Sequence, residues 1–126
     1  MSQPPLVATL GSHSALQILK GARDEGLRNL VIGARGSEAL YRRYPFVDEV
    51  VAVAGYADFP SLEGQLRQRG AVVVPHGSFV AYLGREQNER MRVPYYGNKA
   101  VLRWEGDRDL QRSWLESARV PVPREF

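Results

Sequence analysis

Leu6-Val7-Ala8-Thr9-Leu10-Gly11-Ser12-His13-Ser14 is an apolar run that stops at a glycine and hands over to small polar residues. A second stretch repeats that pattern. Ala71-Val72-Val73-Val74 stops at Pro75 and continues as His76-Gly77-Ser78. A short continuous apolar run bounded by turn residues is the signature of a strand buried on both faces. Each polar tail precedes a helical pattern. After the first, Ala15, Leu16, Ile18, Leu19 and Ala22 fall on one helical face. Strand, loop and helix in that order are the unit of a parallel sheet, in which successive strands are joined by right-handed crossovers.

The rest of the chain fits the same alternation. The first helix is expected over about 14–25, with Ser14 and Gln17 spaced as a capping box and Gly26 placed to end it. Strand two is expected at 30–32, followed by a short helix over about 37–44 that Pro45 stops. Strand three is expected at 49–53. A helix over about 60–69 has Pro60 in its first turn and Gly70 at its end. Strand four covers 71–74, and a short helix follows over about 78–83. Residues 85–92 are polar and read as an exposed turn or helix. A short fifth strand is expected at 93–96. Residues 98–118 are mostly helical in pattern, and Val120-Pro121-Val122-Pro123 cannot continue a helix. The expected fold is α/β and Rossmann-like, with four or five mainly parallel strands and helices on both faces.

Composition narrows the function classes. At 126 residues the chain is read as one domain, with 98–126 as a helix and exit segment. Hydrophobic content of 44% and charged content of 25% are ordinary for a globular protein. No apolar run approaches bilayer length and the first residues lack a signal-peptide pattern, so the expected location is cytoplasmic. Absence of cysteine removes disulfides, thiolate metal sites and a cysteine nucleophile. The formal net charge is +3, and the basic residues are spread along the chain among acids, so no nucleic-acid tract is evident. Only Lys20 and Lys99 are lysine, and the arginine excess suits phosphate or carboxylate recognition or reflects a compositional bias.

In open parallel sheets, ligands bind where loops leave the carboxyl ends of strands. Both histidines of the chain lie on such loops. Ser12, His13 and Ser14 offer two hydroxyls and an imidazole at a helix start, where backbone N–H groups favour an anion. His76, Gly77 and Ser78 offer the same chemistry, with Gly77 permitting close approach. For each loop a plainer reading stands beside this one, in which the serines only cap their helices and the histidine is exposed. Two such loops at one sheet edge favour a shared site for an anionic small molecule. A metal held by His13, His76 and a carboxylate lacks a spaced ligand motif. A hydrolase lacks the G-x-S-x-G elbow. No dinucleotide fingerprint is formed, because histidine stands at position 13 where glycine is needed. Tyr41-Arg42-Arg43-Tyr44 is a solvated helix face or a phosphate grip, and Trp104 and Trp114 read as packing residues.

Two longer stretches carry a resemblance to a known family. Ala8-Thr9-Leu10-Gly11-Ser12-His13-Ser14-Ala15-Leu16-Gln17-Ile18-Leu19-Lys20-Gly21-Ala22 resembles the opening of the archaeal formate-dependent purine-biosynthesis ligases, the 5-formaminoimidazole-4-carboxamide ribonucleotide synthetases. Pro75-His76-Gly77-Ser78-Phe79-Val80-Ala81-Tyr82 resembles their second hallmark. Tyr41-Arg42-Arg43, Gly97-Asn98 and Leu102-Arg103-Trp104-Glu105 are similar to further family segments. The resemblance runs from Val7 nearly to the end.

The resemblance implies the pre-ATP-grasp domain of an ATP-grasp ligase. That enzyme joins formate to the amine of aminoimidazole carboxamide ribonucleotide (AICAR), using ATP and magnesium, with formyl phosphate as the expected intermediate. It implies that His13 and Ser78 contact the ribonucleotide, and by extension Ser12, Ser14, His76 and Gly77. None of these is expected to be a nucleophile. ATP and magnesium are expected outside this chain, in an ATP-grasp domain that family members carry beyond position 126, so no cofactor and no metal ligand is assigned here. Expected partners are AICAR and that missing domain, with neither nucleic acid nor membrane. Asp109 to Glu116 resembles the helix that leads into the ATP-grasp part. Lys99 departs from the pattern, since arginine is expected there. Two other readings stay open: a non-catalytic domain that binds another phosphorylated metabolite, and a self-associating module of the same family.

Overall fold

Four apolar runs pair into a single sheet in the computed structural model of the protein, which describes residues 3–124. The strands are β1 (Leu6–Leu10), β2 (Asn29–Ala34), β3 (Glu49–Val53) and β4 (Ala71–Val73). Their order is β3-β2-β1-β4, and every pairing is parallel. Thr9 lies opposite Val31, Leu10 opposite Ile32 and Ala8 opposite Val73. The order explains the sequence. β1 is internal and all five of its residues are buried, so it reads as an unbroken apolar run. β3 is an edge strand, half-buried along most of its length, and it begins with a charged Glu49.

Helices cover both faces. α1 (Ala15–Asp24) and α2 (Glu38–Tyr41) lie on one, where Ala15, Leu19, Val31 and Tyr41 form a small buried cluster. The other face carries the larger cluster, with Leu10, Ile32, Phe59, Leu66, Phe79 and Met91 among its members. It is supplied by α3 (Phe59–Gln68), α4 (Phe79–Leu83) and the segment after α5 (Arg85–Arg90). Phe59 and Phe79 are its largest fully buried side chains, each worth roughly 1.5–3 kcal/mol of transfer free energy. A 3-10 turn, Tyr56–Asp58, leads into α3. α6 (Val101–Glu105) and α7 (Arg108–Ser117) follow and pack on each other.

Helix ends follow the sequence closely. Gly26 takes φ +71°, its N–H reaches Arg23 O at 3.0 Å, and the Leu27 N–H reaches Ala22 O at 2.8 Å. That is the paired closure of a Schellman motif at the expected glycine. The start of α1 differs from expectation. Ser14 is the N-cap residue, but its φ of −94° and ψ of −10° are helical and its hydroxyl makes no cap bond, so no capping box forms.

Three more elements differ. The expected fifth strand at 93–96 is a lone parallel bridge between Val73 and Tyr95. Val73 N–H donates to Pro94 O at 2.7 Å and Tyr96 N–H to Val73 O at 2.8 Å, but Pro94 has no N–H with which to extend the ladder. The 85–92 stretch is helical as α5. The helical pattern over 98–118 divides into α6 and α7 at Gly106-Asp107, because Asp107 accepts the N–H groups of Asp109 and Leu110, both at 3.0 Å, and starts a new helix.

Candidate functional site

β1 and β4 are neighbours, so the loops that leave their carboxyl ends lie side by side. Gly11 N–H still donates to Ile32 O at 2.7 Å, and the chain turns only after it. The turn is tight because Tyr41 packs on Gly11: a methyl added there would lie 2.7 Å from the Tyr41 hydroxyl. Tyr56 donates its hydroxyl to Gly11 O at 2.7 Å. Burial pushes the Tyr41 and Tyr56 phenols above their ordinary pKa, so both remain protonated. Beyond Tyr56, Tyr82 stacks on its ring at a centroid distance of 4.6 Å.

His76 joins the two loops. Its Nδ1 accepts the N–H of Ser78 at 3.2 Å. The proton of the neutral ring is therefore on Nε2, which lies 2.8 Å from Leu10 O and 3.1 Å from Ser12 Oγ. Phe79 meets the ring edge-on at 4.7 Å. The half-buried ring has its pKa lowered, first by desolvation and also by the neighbouring charge of His13, while the bond to Leu10 O works the other way. Protonation would also remove the acceptor that holds Ser78 N–H. His76 is thus a neutral tie between loops, with both nitrogens engaged inside the protein.

Ser12 is engaged too. Its Oγ meets His76 and accepts the N–H of Ser14 at 3.1 Å, and its carbonyl accepts from Ala15 N–H at 3.1 Å. Ser14 and Ser78 stand at the N-caps of α1 and α4, yet neither hydroxyl caps its helix. His13 and Gly77 are exposed, and Ser78 is half-buried. Of the six expected ligand contacts, then, Ser12 and His76 are spent on shaping the edge. The side chains of His13, Ser14 and Ser78 carry no such bond among the described residues.

Other expectations resolve differently. In the Tyr41-Arg42-Arg43-Tyr44 cluster, Tyr41 is buried, Tyr44 half-buried and the two arginines exposed. Trp104 and Trp114 pack against each other with centroids 6.4 Å apart, but they are 37% and 47% exposed and belong to no core. Lys99 donates to Met91 O at 2.5 Å and lies 5.8 Å over the Tyr95 ring, so it closes its own loop. The sequence singles out neither Tyr56 nor Tyr82 as a site residue: Tyr82 only ends the second family-like stretch, and nothing local marks Tyr56. Nor does the sequence single out Asn29, fully buried, which bonds Leu19 O, Phe46 O and the Asp48 N–H. Among the described residues no group of three or more His, Cys, Asp or Glu could hold a metal ion, and no helix is long and apolar enough to cross a membrane.

The chain is 55% identical over 119 residues to the 5-formaminoimidazole-4-carboxamide-1-(beta)-D-ribofuranosyl 5'-monophosphate synthetase of Thermococcus kodakarensis. It is 50% identical over 120 residues to the protein of that name in Pyrococcus abyssi. These matches take 94% and 95% of this chain but 34% of each relative, so the chain spans about a third of the length of the curated relatives it matches. The crystal structure of an IMP biosynthesis protein PurP from Thermococcus kodakaraensis superposes with a TM-score of 0.77 at 36% identity, covering 94% of this chain and 38% of that one. N5-carboxyaminoimidazole synthetase from Staphylococcus aureus, at a TM-score of 0.71 and 16% identity over 98% of this chain and 32% of that one, shares the fold. Residues 7–126, from β1 through both histidine loops to the C-terminal segment, match the family described as "Protein of unknown function (DUF1246)", and the chain belongs to that family.

Proposed function

We propose that this chain is the nucleotide-substrate-binding domain of an ATP-dependent ligase that formylates AICAR with formate in purine biosynthesis. The observation that carries the reading is the set of unspent groups at the β1/β4 edge. His13, Ser14 and Ser78 lie on two loops that His76 and Ser12 lock together. The start of α1 supplies a favourable dipole for the 5'-phosphate, while the Ser14 and Ala15 N–H groups are held by Ser12. Serine hydroxyls and an exposed imidazole suit phosphate and ribose oxygens. Neutral His76 does not contact the ligand; it sets the spacing of the two loops.

Chemistry in such a ligase would rest on positioning and on neutralising phosphate charge. The described residues hold no acidic cluster fit for magnesium. ATP and magnesium belong, in this reading, to an ATP-grasp part corresponding to what the relatives carry beyond the matched third. Residues 1–126 are then one substrate domain, with 98–126 leading toward that part, in a cytoplasmic enzyme. The chain alone binds AICAR weakly and does not turn over formate.

Calorimetry with AICAR tests the reading. Binding is expected in the millimolar range or tighter. His13→Ala and Ser78→Ala should each weaken it by roughly three- to tenfold, the cost of about 0.5–1.5 kcal/mol per lost hydrogen bond. No heat at millimolar AICAR from a folded sample would overturn the assignment. A second reading, self-association, is favoured by exposed Trp104 and Trp114. A sedimentation coefficient that rises with concentration would support it.

A further inference from the structure

A cleft of about 320 Å³ separates the His76 loop from the α6–α7 corner, and Gly77, Glu105, Arg108 and Gln111 line it. Gly77 belongs to both the cleft and the loop of Ser78, so this space begins one residue from Ser78. The corner is held close by Gly106. A methyl added there would lie 3.0 Å from Leu102 O and 3.7 Å from Val80 of α4.

The polar groups of the cleft are mismatched to a phosphate and matched to something else. Arg108 offers fixed planar donors, Glu105 only acceptors, and Gln111 one of each kind. Glu105 and Arg108 are exposed and Gln111 is half-buried, and the two charged side chains line one cleft without pairing, so they are open to a ligand that displaces water. Arg108 also stands at the first position of α7, where the helix dipole disfavours a cation. A phosphate beside Glu105 would meet a like charge. A planar group with a carbonyl acceptor next to N–H donors would satisfy all three residues.

We propose that Arg108 and Gln111, with Glu105, form the specificity pocket for the carboxamide end of the ribonucleotide. This rests on the substrate-binding reading above and deepens it. The phosphate lies at the first turn of α1 and the heterocycle turns toward α7. Arg108 and Gln111 donate to the carboxamide oxygen, while Glu105 and the Gln111 carbonyl accept from its N–H groups and from the adjacent amine. A ligand without the carboxamide forgoes these bonds, leaves Arg108 to water and binds less well.

The test is calorimetry with two probes, AICAR and 5-aminoimidazole ribonucleotide, which lacks only the carboxamide. The full 126-residue chain, Arg108→Ala, Gln111→Leu and His13→Ala are compared. The unmodified chain should prefer AICAR. Arg108→Ala should weaken AICAR roughly tenfold, as expected for a lost charge-assisted hydrogen bond, and leave the second probe unchanged. Gln111→Leu should act in the same direction. His13→Ala should weaken both probes alike. Equal affinity of the unmodified chain for the two probes would overturn the proposal and leave the substrate-binding reading standing. So would an Arg108→Ala variant that loses both probes equally, or that loses neither. No binding of AICAR by the unmodified chain overturns the substrate-binding reading, and this proposal falls with it.

Discussion

His76 shows how one side chain can give a loop pair its shape. A neutral imidazole with its proton on Nε2 bonds Leu10 O and Ser12 Oγ on one side and takes Ser78 N–H on the other. Its folded pKa is lowered from 6.5 by burial and by His13. The unfolded chain therefore binds more protons than the folded one below pH 6.5. The stabilisation is complete above that value and is lost as pH falls through the lowered folded pKa. Chemical denaturation at pH 7.5 and pH 5 should show the unmodified chain losing more stability on acidification than His76→Gln does. His76→Ala at pH 7.5 should cost about 1–3 kcal/mol, because Leu10 O and Ser78 N–H lose their partner. Equal acid sensitivity of the two proteins would remove His76 as the tie. The sequence places His13 and His76 in equivalent settings and does not separate their roles. That separation depends on how β1 and β4 align across more than sixty residues, which no local pattern encodes.

At the scale of elements, helix ends were the most legible features where glycine marked them and the least where it did not. Gly26 and Gly70 adopt positive φ after α1 and α3, as their positions implied. α7 ends with the same pair of closing bonds, Arg119 N–H to Glu116 O and Val120 N–H to Leu115 O, both at 2.9 Å. Its left-handed residue is Arg119, at φ +58°. A side chain in that region costs roughly 1–2 kcal/mol relative to a right-handed conformation, and glycine avoids most of it. Arg119→Gly should raise the stability of α7 by about 0.5–1 kcal/mol, read as a higher midpoint in denaturation. A lower midpoint would mean that Arg119 makes contacts worth more than its strain. The four strands were legible because each is a compact apolar run between turn residues. Asn29 is polar and lies just outside the strand expected at 30–32. It enters the sheet fully buried because the Leu19, Phe46 and Asp48 backbones satisfy its amide. The break at Gly106-Asp107 is readable in principle, since glycine and aspartate end and start helices.

Over the whole molecule, stability is unevenly shared. β1 and β2 are enclosed by helices on both faces, and their side chains make up much of the core. α6 and α7 contain no buried residue at all, and they lean on each other through half-exposed Trp104 and Trp114. Elements with few buried apolar contacts open at a lower free energy than the global transition. Amide hydrogen exchange should therefore separate the molecule into two parts. The amides of Val31 and Ile32 should exchange only through global unfolding, with a protection free energy equal to that from denaturant melts. Those of α7 should exchange through a smaller opening, several kcal/mol cheaper, and with a weak denaturant dependence because little surface is exposed. This arrangement matters for the cleft beside Gly77, because one wall is fixed to the sheet through Phe79 while the other is carried on the loosely held pair. If α7 amides proved as protected as those of β2, the C-terminal helices would be part of the cooperative core. Arg108 and Gln111 would then line a rigid wall instead of one that can adjust around a bound heterocycle.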